Sequence, residues 1–593
     1  MTTPTRLFDF LDYQLEKYPQ PDMLAAKEGT DWKLYSTAEV KTSVNTLSSG
    51  LLNLGVSCQD MSVERRDKIA IISNNRPEWI ILDLACQQVG AVLVPIYPTI
   101  NPIELEFILN DVAIKYAFVS DELLYRSTLE IKKNVPSLID IFTFNPVPGA
   151  RHYTEVIALG TDKDLTKIES IKSSILSEHL ATILYTSGTT GNPKGVMLSH
   201  KNIVSNVSSS MKILPVDQKD KSLSFLPLNH IFERMITYLY INAGVSIYYA
   251  VNMETIAENL KEIKPNIFTT VPRLLEKVYE RIMAAGLKLK GIKRLLFFRA
   301  IELGKQYEVD KEFSWWYSVQ LNLMNRLVFS KWREALGGNL KCIVTGSAAC
   351  QLRLLKIFTA GGIPILEGYG LTETSPVISV NQLNKNNRKL GTVGPILENV
   401  DVKIAEDGEI ICKGPNIMLG YYRRPDLTGE AIKDGWFHTG DIGEIVDGKF
   451  LKITDRKKEI FKTSGGKYVA PQPIENKMKE SPYIEQIMVL GANRKFPAAL
   501  IIPSFQNLKE WAAKRNLHYS TNESYIHSSE VIDLIHSTIN KYNSFFNHAE
   551  QIKKFELLPH EWTIQGGELT PTLKLKRKVI MEKYNKLVEK IYT

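Results

Sequence analysis

The sequence predicts an α/β protein with a large N-terminal domain of parallel α/β sheets plus a β subdomain, and a small C-terminal α/β domain. Two patterns predict this class. Apolar strand runs alternate with amphipathic helical segments through the first two thirds of the chain, and short strands rich in Gly and Asp follow them. A third observation is length, because 593 residues are too many for one compact core.

The alternation is clearest near the N-terminus. Residues 68–73 form a buried-strand run, residues 76–90 have helical spacing, and residues 92–97 form a second strand run. A helical segment at 102–111 and a strand at 116–120 repeat the unit. Such spacing is typical of parallel strands covered by helices. The same rhythm returns at 222–227, 245–250 and 342–345.

A segment from about 281 to about 337 interrupts this rhythm, because it is helical, basic and aromatic. Its basic and aromatic residues include Lys288, Lys290, Lys293, Arg294, Phe297, Phe298, Arg299, Trp315 and Trp316. Two interpretations stay open. The segment is a helical insertion with its basic side in water, or a membrane-surface patch with aromatic side chains at the lipid interface.

From about 391 to 454 the chain changes to short strands. The dipeptides Asp407-Gly408 and Asp447-Gly448 are hairpin signals, so this region is predicted as an antiparallel β subdomain. The large domain is therefore expected to span 1–454 and a small, mobile domain 455–593. The run DRKK, beginning at Asp455, is the predicted linker.

Composition narrows the function classes. The net charge of +8 suits anionic substrates or an anionic membrane surface, and the absence of an aromatic-basic RNA-binding signature argues against nucleic acid. Five widely spaced cysteines without a CxxC motif indicate reduced thiols in the cytoplasm. No signal peptide and no run of 18 apolar residues occurs, so membrane association is expected to be peripheral.

The strongest chemical motif is YTSGTTGNPKG at 185–195. Its hydroxyls can donate to phosphate oxygens, its glycines let the backbone approach a ligand, and Lys194 adds a positive charge. The hydroxyl residues are Thr186, Ser187, Thr189 and Thr190, and the glycines are Gly188, Gly191 and Gly195. The spacing is not that of a Walker loop, and no GxGxxG motif supports a dinucleotide fold.

This loop resembles the phosphate-loop signature of the adenylate-forming superfamily, which includes acyl-CoA synthetases, luciferases and peptide-synthetase adenylation domains. The resemblance covers the chain from about Phe8 to about Tyr584. Within the superfamily the chain is similar to long-chain fatty acyl-CoA synthetases. Four features carry that similarity: PLNHIFER at 227–234, VPRLLEKVYERI at 271–282, the helical segment, and LTPTLKLKRK at 569–578.

A second motif, EGYGLTET at 367–374, combines an aromatic ring, a glycine turn, hydroxyls and a carboxylate. Tyr369, followed by Gly370, could stack on a purine, Thr372 could bond the α-phosphate, and Glu373 could hold Mg²⁺ against phosphates. The resemblance implies these same roles. Small residues from Gly346 onward follow a strand and suit a floor beneath an adenine ring and an acyl chain, or simply tight packing.

The resemblance also implies roles nearer the C-terminus. Asp441, in WFHTGD, would bind the ribose hydroxyls with support from Arg456, and Gly466 would leave room for the pantetheine arm of coenzyme A. Lys574 would reach the α-phosphate and the attacking carboxylate. The family pattern has glycine directly before that lysine, whereas this chain has Leu573.

The resemblance places His230 near the acyl carboxylate. Some fatty acyl-CoA synthetases have a gating tryptophan four residues beyond this histidine. Arg234 takes that place here, so that lid mechanism is not expected in this chain.

The implied reaction has two displacements. A fatty carboxylate attacks the α-phosphorus of ATP and releases pyrophosphate, and the thiol of coenzyme A then attacks the acyl carbonyl and releases AMP. His230, Lys574, Thr186 and Glu373 with Mg²⁺ would serve the first step. The small domain would then rotate about Asp455, which would remove Lys574 from the acyl-adenylate and bring Gly466 to it. The alternatives are transfer to a carrier phosphopantetheine, a catalytically silent lipid- or nucleotide-binding protein, and a luciferase-like oxidase.

Overall fold

The computed structural model describes residues 3–57, 60–186, 193–570 and 573–593. Contacts between Cα atoms divide the chain into two compact units. The first comprises Met1–Val402 and Cys412–Phe437, and the second comprises Lys403–Ile411 and His438–Thr593. The predicted α/β class is confirmed.

The strands, in chain order, are β1 (Leu24–Glu28), β2 (Asp31–Tyr35), β3 (Lys68–Ile72), β4 (Val92–Ile96), β5 (Tyr116–Val119), β6 (Asp140–Thr143), β7 (Arg151–His152), β8 (Leu180–Thr186), β9 (Lys194–Ser199), β10 (Lys221–Ser224), β11 (Ser246–Tyr249), β12 (Ile267–Thr270), β13 (Cys342–Thr345), β14 (Ile365–Gly370), β15 (Val377–Val380), β16 (Asp401–Ile404), β17 (Glu409–Lys413), β18 (Gly420–Tyr421), β19 (Ile432–Lys433), β20 (Trp436–Val446), β21 (Phe450–Arg456), β22 (Phe461–Lys462), β23 (Tyr468–Val469), β24 (Ile484–Leu490), β25 (Ala498–Pro503) and β26 (Lys554–Leu557).

The α-helices are α1 (Asp9–Lys17), α2 (Thr37–Asn53), α3 (Pro77–Gln88), α4 (Pro102–Asp111), α5 (Glu122–Lys132), α6 (Tyr153–Ala158), α7 (Leu165–Ser174), α8 (His200–Met211), α9 (Ile231–Ala243), α10 (Ile256–Ile263), α11 (Pro272–Leu287), α12 (Gly291–Lys305), α13 (Trp315–Met324), α14 (Ser330–Ala335), α15 (Leu352–Ala360), α16 (Pro425–Ala431), α17 (Pro471–Met478), α18 (Phe505–Ala513), α19 (Asn522–Ile526), α20 (Ser529–Asn543), α21 (Arg577–Lys583) and α22 (Asn585–Tyr592).

Two mixed sheets form the first unit. In the described residues, one has the strand order β15-β14-β13-β12-β10-β11-β1-β2 and the other β18-β9-β8-β4-β3-β5-β6-β7. Strands β10 to β14 run parallel, as do β3 to β6, which agrees with the strand–helix–strand spacing. Antiparallel strands occur at the sheet edges, including β8 with β9.

The helix α9 packs between these sheets and is anchored to both. Its Glu233 accepts hydrogen bonds from Ser224 Oγ (2.6 Å) on β10 and from Thr269 Oγ1 on β12, and burial raises the pKa of this carboxyl to about 7. On the other side Arg234 forms a bidentate pair with Asp83 of α3, at 3.0 and 2.6 Å.

The Arg234–Asp83 pair has no exposed side-chain surface. Arg234 Nη1 also donates to Thr182 Oγ1 of β8 (2.8 Å), and the Tyr238 hydroxyl donates to Asp83. Residue 234 is therefore locked in the core, which gives a physical reason why it does not serve as a mobile gate.

Replacing Arg234 with methionine is expected to lower the free energy of unfolding by about 3–5 kcal/mol, because it leaves the Asp83 carboxylate buried without its cation. The triple variant Asp83→Leu, Arg234→Met, Tyr238→Phe removes all three polar side chains. Its free energy of unfolding should be closer to that of the wild type than the free energy of the single variant. Urea denaturation measures both. A single variant as stable as the wild type would contradict this interpretation of the pair.

The segment predicted as a helical insertion contains α12, α13 and α14, and it is preceded by α11, which begins at Pro272 and extends past residue 281. Its inner face joins the core through residues such as Phe297 and Trp332. Every helix in the described parts of the chain is too short or too polar to cross a bilayer.

The second unit contains the β20–β21 hairpin, the two-stranded sheet β22-β23 and the sheet β24-β25-β26. The predicted turn at Asp447-Gly448 joins β20 to β21, with φ of 52° and 64° at its two residues. Helices α17, α18 and α20 cover the core around Ile487 and Ile501.

Candidate functional site

A narrow apolar cavity lies in the first unit, where β13 and β14 end. Four of the predicted site residues line it: His230, Gly346, Tyr369 and Gly370. The carboxyl ends of parallel strands meet at one edge of a sheet, and ligands of open α/β sheets bind there. The structure thus brings together residues that are up to 140 positions apart in sequence.

Most of the cavity wall is apolar. Apolar side chains from α8, α9, β13 and β15 and their adjoining loops supply it: Ile213, Leu214, Phe232, Met235, Ile236, Val344, Pro376, Val377 and Val380. His230 lies at the start of α9, where its Nδ1 accepts a hydrogen bond from the Phe232 backbone N–H (3.2 Å). This arrangement suits an apolar chain with a polar group at one end.

Steric demands differ between the two predicted glycines. A Cβ at Gly370 would lie 1.7 Å from the Pro376 carbonyl oxygen, so this position requires glycine. A Cβ at Gly346 would meet its nearest neighbour, the Gly368 carbonyl oxygen, at 3.4 Å. The neighbouring Ser347 has φ of 69°, so the backbone bends where β13 ends.

The phosphate-loop motif lies only partly within the described residues. Thr186 ends β8, Lys194 begins β9, and the two residues are paired across the antiparallel ladder. The predicted ligands Ser187, Gly188, Thr189, Thr190 and Gly191 lie outside the described residues. The adjoining strands are held by the Tyr185 hydroxyl, which donates to the Asp111 carboxylate.

Gly195 corrects one expectation. The sequence predicted that this glycine lets the backbone approach a ligand. In the structure it lies within β9, and a Cβ there would be 2.8 Å from Ile183 Cγ2 and 3.1 Å from the Tyr185 ring. Gly195 is therefore needed for close packing between β8 and β9.

Glu373 lies in a short 3₁₀ turn, Thr372–Thr374, which places Thr372 and Glu373 directly after β14. The Tyr421 hydroxyl donates to Glu373 Oε1 (2.9 Å), and Lys194 Nζ lies 5.1 Å from the centre of the Tyr421 ring. Tyr421 thus links the predicted metal carboxylate to the phosphate-loop lysine. Sequence reasoning did not single out Tyr421, because it assigned no function to the residues around position 421.

Glu367 is a second residue that sequence reasoning did not single out. It lies on β14 next to the cavity-lining Gly368, and burial raises the pKa of its carboxyl to about 8. Its Oε1 accepts a hydrogen bond from the Cys350 backbone N–H (3.1 Å). A buried carboxyl with a raised pKa beside a cavity is typical of functional sites.

In the second unit, Asp441 and Arg456 face each other across the β20–β21 hairpin. Arg456 Nε lies 3.2 Å from Asp441 Oδ1, and the Asp441 side chain is almost fully buried. The residue before Arg456 in β21, Asp455, is also buried, which raises the pKa of its carboxyl to about 6. An aspartate held by a neighbouring arginine is a suitable acceptor for two hydroxyls.

Gly466 and Lys574 lie elsewhere in that unit. Gly466 occupies the turn between β22 and β23 with φ of 79°, and a Cβ there would meet only the far end of the Lys462 side chain, at 3.8 Å, among the described residues. The Lys574 backbone N–H donates to Thr570 Oγ1 (3.0 Å), and its carbonyl accepts from the Thr570 N–H (2.8 Å). Leu573 has φ of 62°, a conformation that favours glycine, the residue of the resembled family at this place.

Glu373 is the residue that the sequence predicts as a metal ligand. No group of three or more His, Cys, Asp or Glu residues suited to a metal ion occurs among the described residues. Glu373, with phosphate oxygens as further ligands, fits Mg²⁺, which usually binds through one or two carboxylates and substrate phosphates. The residues present fit a substrate-bound magnesium ion and not a metal held by protein alone.

Comparison with protein families gives two matches that together cover nearly the whole chain. The AMP-binding enzyme family matches residues 11–422, and the AMP-binding enzyme C-terminal domain matches residues 458–593. The first match ends one residue after Tyr421, so it includes the cavity, the phosphate loop and Glu373.

Individual relatives are similar over almost their full length. The long-chain-fatty-acid–CoA ligase FadD15 of Mycobacterium bovis is 33% identical over 95% of this chain and 92% of its own. Long chain acyl-CoA synthetase 4 of Arabidopsis thaliana is 32% identical over 99% and 91%. Long-chain-fatty-acid–CoA ligase 5 of Mus musculus is 33% identical over 95% and 85%.

Solved structures share the fold at lower identity. The anthranilate CoA ligase AuaEII, in complex with anthranoyl-AMP, aligns with a TM-score of 0.73 at 18% identity, covering 98% of both chains. The O-succinylbenzoate coenzyme A synthetase of Bacillus subtilis, in complex with ATP and magnesium ion, aligns with 0.68 at 20% identity, covering 96% and 98%.

Proposed function

The chain belongs to the AMP-binding enzyme family, and we propose that within it the chain is a long-chain fatty acid–CoA ligase. It activates a fatty acid with ATP to an acyl-adenylate and passes the acyl group to coenzyme A, giving acyl-CoA, AMP and pyrophosphate. The single observation that carries the proposal is the apolar cavity beside His230 and Tyr369, which opens where β13 and β14 end.

The cavity supports a fatty acid as substrate. Its wall consists mainly of aliphatic and aromatic side chains, with polar side chains from Ser210 of α8, from His230 at the start of α9 and from Ser347 after β13. Burying one methylene group contributes about 0.8 kcal/mol, so a long chain gains most from such a wall. The carboxylate would then lie near His230, with the adenine next to Tyr369 and Gly346.

The first displacement brings a carboxylate toward a polyphosphate of the same charge. Thr186, Lys194 and Thr372 would offset this repulsion, together with the predicted phosphate ligands Ser187, Thr189 and Thr190. Glu373 would hold Mg²⁺, which neutralises phosphate charge when bound. Lys574 would stabilise the negative charge that develops on the α-phosphate and the attacking carboxylate.

The second displacement needs a path for the thiol. We assign Asp441 and Arg456 to the ribose and Gly466 to the pantetheine arm. A rotation of the small domain, predicted to begin at Asp455, would remove Lys574 and present Gly466 to the acyl-adenylate. The extents 1–454 and 455–593 for the two domains remain part of this proposal.

A substrate series tests the assignment. Purified protein with ATP, Mg²⁺ and coenzyme A should form thioesters from palmitate with a kcat/KM at least tenfold above that for benzoate, since only the long chain fills the apolar wall. A preference for benzoate would contradict the fatty-acid assignment. Thioester formation on a carrier phosphopantetheine but not on free coenzyme A would favour the acyl-AMP ligase alternative.

The helical insertion supports a peripheral membrane partner. Large apolar side chains of α12 and α13 are exposed, including Trp315 (75%), Ile292 (72%) and Leu295 (69%). Basic residues lie around them at Lys288, Lys290, Lys293 and Arg294. Exposed aromatic side chains with adjacent basic residues fit an anionic lipid surface, with about 1 kcal/mol for each basic residue near it.

Flotation with vesicles containing phosphatidylglycerol tests this surface. The wild type should float at low salt and less at high salt, and the variant Leu295→Ser, Trp315→Ser, Trp316→Ser should stay in solution. The matched control Ile103→Ser, Leu123→Ser replaces side chains that are equally exposed, at 83% and 79%, but outside the insertion, and it should float like the wild type. Equal flotation of both variants would contradict a lipid-binding role for the insertion.

A further inference from the structure

Tyr421 lies on a short strand beside the phosphate-loop lysine. Strand β18 pairs with β9 in antiparallel register, Tyr421 opposite Val196, and the Tyr422 N–H donates to the Gly195 carbonyl (2.7 Å). The Tyr421 side chain points away from solvent, with 8% of its surface exposed. Its position is therefore fixed by the ladder that also fixes Lys194.

The phenol of Tyr421 lies between a cation and a carboxylate. Its hydroxyl donates to Glu373 Oε1 at 2.9 Å, and its ring centre is 5.1 Å from Lys194 Nζ. One Glu373 oxygen is thereby engaged, which fixes the plane of the carboxylate.

The segment that leads into β18, residues 416–419, also holds the backbone of the Glu373 turn. The Met418 N–H donates to the Glu373 carbonyl (2.9 Å), and Asn416 Nδ2 donates to the Thr374 carbonyl (3.0 Å). Backbone and side chain of Glu373 are thus oriented by one segment, residues 416–421. Such double support is typical of a carboxylate that must meet a ligand at a fixed angle.

We propose that Tyr421 is a positioning residue for magnesium-bound polyphosphate: it orients Glu373 toward the cation and couples that carboxylate to Lys194. The inference rests on the proposed ligase function, and it concerns how the nucleotide–metal complex is held. Hydrogen-bond partners of metal-binding carboxylates typically change metal affinity about 10–100-fold when removed.

The test is Tyr421→Phe, which removes only the hydroxyl. Mn²⁺ serves as the probe, and its binding in the presence of ATP is measured by electron paramagnetic resonance. The variant should bind Mn²⁺ about 10–100-fold more weakly than the wild type. Its KM for palmitate, measured at saturating Mg²⁺, should stay within about twofold, which a general loss of structure would not allow.

Tyr422→Phe is the matched control, because Tyr422 is buried, neighbours Tyr421 and makes no hydrogen bond through its hydroxyl to any described residue. It should bind Mn²⁺ like the wild type. Equal Mn²⁺ affinity for Tyr421→Phe and the wild type would overturn the positioning role. If the wild type itself bound no Mn²⁺ with ATP, the proposed function beneath the inference would fail instead.

Discussion

Replacing Lys574 with methionine is expected to lower the rate of acyl-adenylate formation by about 10²–10³-fold, because the developing charge on the α-phosphate loses a cation. Thioester formation from synthetic palmitoyl-adenylate and coenzyme A should stay near the wild-type rate. Pyrophosphate release in single turnover measures the first step, and thioester product measures the second.

Lys578→Met is the control for this variant. Lys578 is exposed in α21, and its ammonium lies 4.0 Å from Glu582, so its loss should leave both steps unchanged. A Lys574→Met variant that lost both steps equally would indicate a structural role. A variant that lost neither would place the active-site lysine elsewhere in the chain.

Replacing Gly466 with leucine is expected to have the opposite effect. A leucine side chain would occupy the space assigned to the pantetheine arm, and thioester formation should fall by about 10²-fold while adenylation persists. Substituting a left-handed glycine also strains the backbone, since φ at Gly466 is 79°. A control variant must therefore separate the effect of backbone strain from the effect of blocking the pantetheine arm.

Gly448→Leu supplies that separation. Gly448 lies in the β20–β21 turn with φ of 64°, and a Cβ there would have no described atom within 4 Å, whereas one at Gly466 would only touch Lys462 Cε at 3.8 Å. Both variants thus carry a similar strain, of about 1–2 kcal/mol. If Gly448→Leu slowed thioester formation as much as Gly466→Leu, the assignment of Gly466 to coenzyme A would be wrong.

Local patterns predicted the elements well where the pattern itself causes the structure. The helix at 102–111 and the strand at 342–345 have the predicted bounds, because a proline begins the helix and an apolar run forms the strand. Strand 222–227 was predicted too long, since β10 ends at Ser224. The chain after it leads to Leu228, whose N–H bonds Asn75 rather than a sheet neighbour.

The contacts that hold the site could not be predicted in this way. Asp83 and Arg234 are 151 positions apart, and Glu373 and Tyr421 are 48 apart. Their pairing depends on which strands become neighbours, and a single sequence contains no periodic signal for that. From the sequence, Arg234 indicated only that the tryptophan lid mechanism is not expected. The structure shows that its side chain joins α9 to β8 and α3.

Leu573 shows how backbone geometry and sequence can disagree. The resembled family has glycine before the lysine, and the left-handed φ of 62° at Leu573 explains why glycine is favoured there. This chain adopts the left-handed conformation with leucine. Leu573 therefore differs from the family pattern in residue type, whereas its backbone conformation is one that suits glycine.

Pyrophosphate release is the measurement that tests the two-step ligase mechanism most directly. Purified protein is given ATP, Mg²⁺ and palmitate, with and without coenzyme A, and pyrophosphate and thioester are quantified together. We expect about one equivalent of pyrophosphate per protein without coenzyme A, and repeated turnover with palmitoyl-CoA as product when coenzyme A is present. Repeated release without coenzyme A, or no release with any fatty acid, would contradict the two-step ligase mechanism.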